Sequence, residues 1–146
     1  MTERNPALGD FVTASSLWIP SFINGSAWVG HAPFLFWLLE QLAPSRFVEL
    51  GTHHGYSYFA ACEGVKRLGL RTQCFAVDHW QGDEHAGMYS ASVFSDVKSR
   101  NEAYYGDISR LIRARFEEAL PTIEDGSIDL LHVDGRHFYE DVKSDF

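Results

Sequence analysis

Cysteine is scarce: Cys62 and Cys74 are the two present in 146 residues, too few for a disulfide framework to organise the chain. Both lie in segments that read as a buried helix face and a buried strand, which predicts reduced core thiols and a cytoplasmic protein. Positive charge is also short, with 12 Lys and Arg against 20 Asp and Glu and a net charge of −8. That balance argues against nucleic acid or an anionic membrane as the main partner, since both reward clustered cations. The one basic run, Arg110 to Arg115, reads as the solvated face of a strand. No long apolar run exists. The longest, Ala32 to Leu39, falls far below the roughly 20 residues that cross a bilayer. Met1 to Asp10 is polar and lacks the basic start of a signal peptide, so none is expected. Internal repeats and low-complexity tracts are missing as well.

What is present is ordinary for a folded domain: 45% hydrophobic and 22% charged residues, in a length that suits one core rather than two. Residues 1–45 read as an N-terminal arm and cap helix. The arm carries isolated aromatics (Phe11, Trp18, Phe22, Trp28) and the helix spans Pro33 to Leu42, opened by proline and closed by Pro44. Trp28, Phe34, Phe36 and Trp37 read as core residues. From residue 46 strands and helices alternate. Phe47 to Leu50 is a strand, and Tyr58 to Leu68 a helix ended by Gly69. Cys74 to Val77 is a second strand, followed by a polar connection over His79 to Tyr89 and a helix over Ser92 to Ala103. Leu111 to Phe116 reads as a third strand, Glu117 to Ile123 as a short helix, and Ile128 to Val133 as a fourth strand after the Asp125-Gly126 turn. This alternation predicts an α/β fold with a parallel sheet covered on both faces, which binds ligands beyond the carboxyl ends of its strands.

Glu49, Gly51, Asp78 and Asp134 all fall at or beside such strand ends. Glu49-Leu-Gly51-Thr-His-His-Gly55 has the form E-x-G-x-x-x-G between a strand and a helix. Gly51 permits a tight turn with bare backbone facing a ligand, and Gly55 lets the helix begin close to the sheet with its amides free. Asp78 can accept both hydroxyls of a ribose, and Thr52 and His79 beside these residues complete the expected contact set. His53 stands where a dinucleotide motif has its second glycine, so a pyrophosphate is disfavoured and a phosphate-free adenosyl cofactor preferred.

Three segments together carry a family resemblance: Val48-Glu-Leu-Gly-Thr-His-His-Gly-Tyr-Ser-Tyr58, Ala76-Val-Asp-His-Trp-Gln-Gly-Asp-Glu-His-Ala-Gly87 and Ile128-Asp-Leu-Leu-His-Val-Asp-Gly-Arg-His-Phe-Tyr139. Residues 27–146 resemble a bacterial family of class I S-adenosylmethionine-dependent methyltransferases, including small-molecule and sugar O-methyltransferases. The resemblance implies a Rossmann-like domain over 46–146, with sheet order 3-2-1-4 and an end before the fifth of about seven strands. It implies S-adenosylmethionine as cofactor, with Glu49, Gly51 and Gly55 around its methionine and ribose and Asp78 on the ribose. Adenine recognition falls to the Arg115-Phe116-Glu117 stretch, where Phe116 can stack. Asp134 is a further cofactor contact and, in metal-dependent relatives, a magnesium ligand. One carboxylate is not a metal site, so magnesium is expected only in a longer protein.

His137 is the candidate general base, because imidazole titrates near neutrality and the residue shares that rim. Capping of the next helix by His137 and Tyr139 is the alternative. Zinc is not expected, since adjacent His53 and His54 should point apart. The His79 to His85 loop is either a ligand wall or a connector whose Trp80 packs on the sheet. An unpartnered fourth strand predicts pairing between two copies. The functions left open are a methyltransferase acting on a hydroxylated small molecule or sugar, a cofactor-binding module without catalysis, and a nicotinamide oxidoreductase, which His53 disfavours.

Overall fold

Four parallel strands run side by side in a computed structural model that describes residues 12–83, 87–135 and 139–145. They are β1 (Arg46–Leu50), β2 (Gln73–Asp78), β5 (Ser109–Arg113) and β6 (Leu130–Val133). Between β2 and β5 in sequence, β3 (Gly82–Asp83) and β4 (Gly87–Met88) form a separate two-residue hairpin. The sheet order is β5-β2-β1-β6, so the four long strands stand third, second, first, fourth, as the family resemblance implies. Side chains alternate across a strand, and β1 shows the consequence. Phe47 faces a core built with α1 (Ala32–Leu42), α2 (Tyr56–Leu68) and α3 (Ala91–Tyr104). Val48 and Leu50 face the opposite side, against Val77 and Ala119 of the short helix α4 (Phe116–Ala119). Helix α5 (Tyr139–Asp145) follows β6.

Helix α2 is buried from Tyr56 through Val65, because α1, the sheet and the arm enclose it. A Cβ on Gly64 would come within 2.9 Å of both Leu39 and Phe36, so glycine there sets how closely α1 and α2 pack. The helix ends at Gly69 in the left-handed conformation, where glycine escapes the Cβ penalty. The arm lies down along these helices. Trp18 meets Phe36 edge-on at 5.6 Å, and Phe22 meets Phe59 at 5.8 Å. Buried Glu63 accepts both the N–H (2.8 Å) and the hydroxyl (2.9 Å) of Ser21. Of the four aromatics read as core, Phe36 is wholly buried and Phe34 is exposed on the outer side of α1. Cys62 and Cys74 are buried free thiols, and burial pushes the Cys62 thiol well up. Among the described residues no helix is long and apolar enough to cross a membrane.

Three expectations need correction. The third strand is Ser109–Arg113 rather than 111–116. Buried Ser109 is anchored by the Tyr58 hydroxyl at 2.6 Å, and the Glu118 carboxylate accepts the Arg115 N–H at 3.1 Å, which turns residues 115–116 into a helix start. The fourth strand begins at Leu130. Just before it, the Asp129 carboxylate accepts the N–H groups of Ser45 (2.8 Å) and Arg46 (3.0 Å), while the Asp129 N–H donates to the Arg46 carbonyl at 3.1 Å, which ties the entry of the strand to that of β1. The polar connection after β2 contains the β3–β4 hairpin. There Gly82 has a φ of +79°, and a Cβ would sit 2.0 Å from the Gly87 carbonyl oxygen.

Candidate functional site

The loop from Gly51 to Gly55 joins β1 to α2 at the carboxyl end of the sheet. Gly51 donates to the Val77 carbonyl at 2.9 Å and has a φ of +87°; a Cβ there would lie 2.2 Å from the Asp134 carbonyl oxygen. What approaches Gly51 is therefore the protein's own backbone, arriving from the end of β6. Gly55 also has a positive φ, and a Cβ would meet the Phe59 ring at 2.6 Å. Asp78 organises the loop from β2. Its Oδ2 accepts the N–H groups of Thr52 and His53, both at 2.9 Å, and its Oδ1 that of Trp80 at 2.7 Å. Its carboxylate thus binds backbone donors of the loop it faces.

His53, at φ +51°, turns the chain so that its ring lies 4.1 Å from that of His54 and 4.3 Å from Tyr89, nearly parallel to the latter. The expectation that the two adjacent histidines point apart is wrong, because left-handed backbone at His53 brings both rings to one side. Trp80 is buried and donates its indole N–H to the His53 carbonyl at 2.9 Å, so it packs under the loop. His79 is half-buried and accepts the Gln81 N–H at 3.0 Å. Phe116 packs against the apolar cluster on the α4 side of the sheet.

Beneath this loop, Glu49 is fully buried. Its Oε2 accepts the Ser57 hydroxyl at 2.7 Å and the His132 Nδ1–H at 2.8 Å. Glu49 and His132 are register partners across β1 and β6, so their side chains emerge on the same face. Desolvation pulls the His132 pKa down, but the hydrogen bond and charge of Glu49, helped by Asp134, outweigh it and hold it above the usual imidazole value. The arm closes over the pair: Trp28 meets the His132 ring at 4.9 Å, and the Tyr56 hydroxyl donates to the Val29 carbonyl at 3.2 Å. Among the described residues, two buried oxygens beside the loop, Glu49 Oε1 and Thr52 Oγ1, find no hydrogen-bond partner.

The structure thus gathers Glu49, Gly51, Thr52, Gly55, Asp78, His79 and Asp134 at one end of the sheet. His137 lies outside the described residues. Tyr139 opens α5 and is exposed. No cluster of three or more His, Cys, Asp or Glu forms among the described residues. Sequence reasoning missed His132, Ser57 and Trp28. A histidine inside the apolar strand Leu130–Val133 is a signal, but its pairing with Glu49 depends on a strand register that the sequence does not display.

A model of the family described as a methyltransferase domain matches residues 48–146. An uncharacterized protein of Sinorhizobium fredii, y4gI, is 58% identical over 121 residues, covering 83% of this chain and 13% of its own length. Among solved structures, SAH-bound methyltransferase PaMTH1 of Podospora anserina superimposes with a TM-score of 0.57 at 24% identity, over 73% of this chain and 41% of its own. Cofactor-bound Rv0187 from MTB gives 0.56 at 21%, over 77% and 45%. The O-methyltransferase TomG of Streptomyces achromogenes, involved in tomaymycin synthesis and solved with SAM, gives 0.56 at 20%, over 75% and 45%. At these identities the likeness establishes the fold. The chain spans less than half the length of each of these proteins.

Proposed function

Because this chain belongs to the methyltransferase-domain family, we propose that it supplies the S-adenosylmethionine-binding half of a methyltransferase that acts on oxygen in a hydroxylated small molecule or sugar. The observation that carries the cofactor reading is the pair of buried oxygens beside the Gly51–Gly55 turn, Glu49 Oε1 and Thr52 Oγ1, that have no partner among the described residues. A buried polar atom without a partner costs about 1–3 kcal/mol, and two of them at one strand end suit a ligand rich in N–H and O–H groups. S-adenosylmethionine is such a ligand, with an ammonium, two ribose hydroxyls and no phosphate. Cofactor-bound PaMTH1, Rv0187 and TomG share the fold, which supports the same assignment. TomG, an O-methyltransferase, supports oxygen as the acceptor.

When bound, the cofactor supplies a methyl group activated on a sulfonium. The chain's residues hold and orient it. Glu49 and Thr52 offer hydrogen-bonding oxygens, and Asp78 fixes the loop by holding its amides. Trp80 excludes water from beneath that loop, and Phe116 and His79 would line the adenine. His137, three positions after Asp134 in sequence, is the base assigned to take the acceptor's proton. Asp134 alone offers one hard ligand, so magnesium enters only with carboxylates from a longer protein. Pairing of two copies along the outer edge of β6 and a cytoplasmic location complete the reading.

Calorimetric titration with S-adenosylhomocysteine (SAH) tests it, with NAD as control and Thr52→Val as the site variant. Saturable SAH binding, none for NAD and about a 3- to 10-fold loss in Thr52→Val are expected, the loss being that of one ordinary hydrogen bond. NAD binding in place of SAH overturns the reading. A longer protein that binds SAH but transfers no methyl group favours the binding-module alternative.

A further inference from the structure

The Glu49 carboxylate has two oxygens in different situations. Oε2 is held between Ser57 on α2 and His132 on β6, whereas Oε1, equally buried, has no partner among the described residues. Rotation about the terminal torsion of glutamate is soft, so on its own the carboxylate would exchange its two oxygens between these donors. Two donors from different elements converging on one oxygen stop that exchange. A hydroxyl alone is a weak anchor, while a charge-assisted N–H to a carboxylate is about twice as strong as a neutral bond. The imidazole is in turn fixed on its other side. Trp28 abuts its ring at 4.9 Å with planes 60° apart, and the arm segment carrying Trp28 is pinned by the Tyr56 hydroxyl on Val29. His132 is thus linked from the arm above to the strand end below, and it is only partly exposed.

We propose that His132 is a positioning residue for the cofactor: its Nδ1–H locks Oε2 of Glu49 so that Oε1 stays presented to a hydrogen-bond donor of S-adenosylmethionine. This rests on the cofactor reading above and extends it to a residue outside the glycine loop. Trp28 holds the ring in the plane that the lock requires, which gives the arm a part in cofactor binding without contact to the cofactor.

The test compares SAH titrations of the wild-type chain with His132→Leu, His132→Asn and His132→Gln, each checked by thermal melting. An asparagine amide can place its nitrogen near the position of Nδ1, whereas glutamine reaches to the position of Nε2. His132→Leu and His132→Gln should weaken SAH by about 10- to 100-fold, the worth of a hydrogen bond to a charged group. His132→Asn should recover most of that loss. If His132→Leu fails to fold, the Asn-to-Gln difference carries the test alone. SAH binding unchanged in the Gln variant, or equally lost in Asn and Gln variants that melt alike, overturns the positioning role and leaves the cofactor reading standing. A wild-type chain that binds no SAH overturns both.

Discussion

Gly51→Ala separates the two reasons for glycine at the start of the cofactor loop. The first is conformational: a φ of +87° costs an L-residue about 1–2 kcal/mol. The second is steric. The added Cβ would sit 2.2 Å from the Asp134 carbonyl oxygen, 2.6 Å from its carbon and 2.9 Å from the Gly135 nitrogen. All three are backbone atoms, so no side chain can swing away; the end of β6 must move by about an ångström in a closely packed region. Such overpacking costs about 1–3 kcal/mol. The Asp134 N–H to Leu50 bond at 2.8 Å, the last rung between β1 and β6, lies in the path of the shift and is worth about 1 kcal/mol. Together these come to about 3–6 kcal/mol, a large part of the 5–15 kcal/mol typical of a whole domain. Gly126→Ala is the matched control, since Gly126 has a φ of +69° with nothing within 4 Å and loses only the conformational part. At about 3–5 °C per kcal/mol for a domain of this size, Gly51→Ala should lower the melting temperature by about 10–30 °C, and Gly126→Ala by about 3–10 °C. The assay is thermal unfolding followed by circular dichroism. Equal losses in the two variants would refute the close approach of β6 to the loop.

Three further outcomes are expected. Ala43 ends α1 at φ 43°, ψ 54° while donating to Leu39 at 2.9 Å; Ala43→Gly keeps that bond, removes the left-handed penalty and should raise stability by about 1 kcal/mol in denaturant melts. His132 has its pKa raised in the folded state, so the stability from its pairing with Glu49 is complete below the unfolded imidazole value and is lost as pH rises through the folded one. Its ring resonances should titrate above the usual histidine range and move down in Glu49→Gln; a Gln variant that titrates like wild type would contradict the pairing. Burial, helped by the charge of Glu63, pushes the Tyr105 phenol up to about 12. Stability should therefore fall between the ordinary tyrosine value and that figure, and the drop should be smaller in Tyr105→Phe.

The fold was legible where one principle ruled. Apolar runs ended by glycine, or for β2 by Asp78, located β1, α2 and β2 within a residue or two. The misses came where a side chain overrode the pattern. Leu111 to Phe116 looks continuous as a strand, yet Glu118 captures the Arg115 amide and ends it. Ile128 and Asp129 look like strand residues, yet the Asp129 carboxylate is taken by Ser45 and Arg46. In the site, glycines and strand-end carboxylates stood out because their spacing is local. His132 did not, since its meaning comes from lying opposite Glu49, a relation between residues 83 positions apart. Adjacent histidines misled for a similar reason: the direction of a side chain follows from backbone handedness, and His53 takes the rare one.

The enclosure of α2 bears on the timescale of the loop that leads into it. A hydrogen-bonded amide in a helix covered on nearly every side exchanges with solvent only through opening of the whole domain, so the α2 amides from Phe59, whose bond closes the first turn, onward should belong to the slowest-exchanging kernel. Gly55 is fastened to that turn by the Phe59 N–H at 2.8 Å, and Asp78 ties Thr52 and His53 to the end of β2. The cradle is thus set during folding and has little configurational freedom left to lose when a ligand arrives.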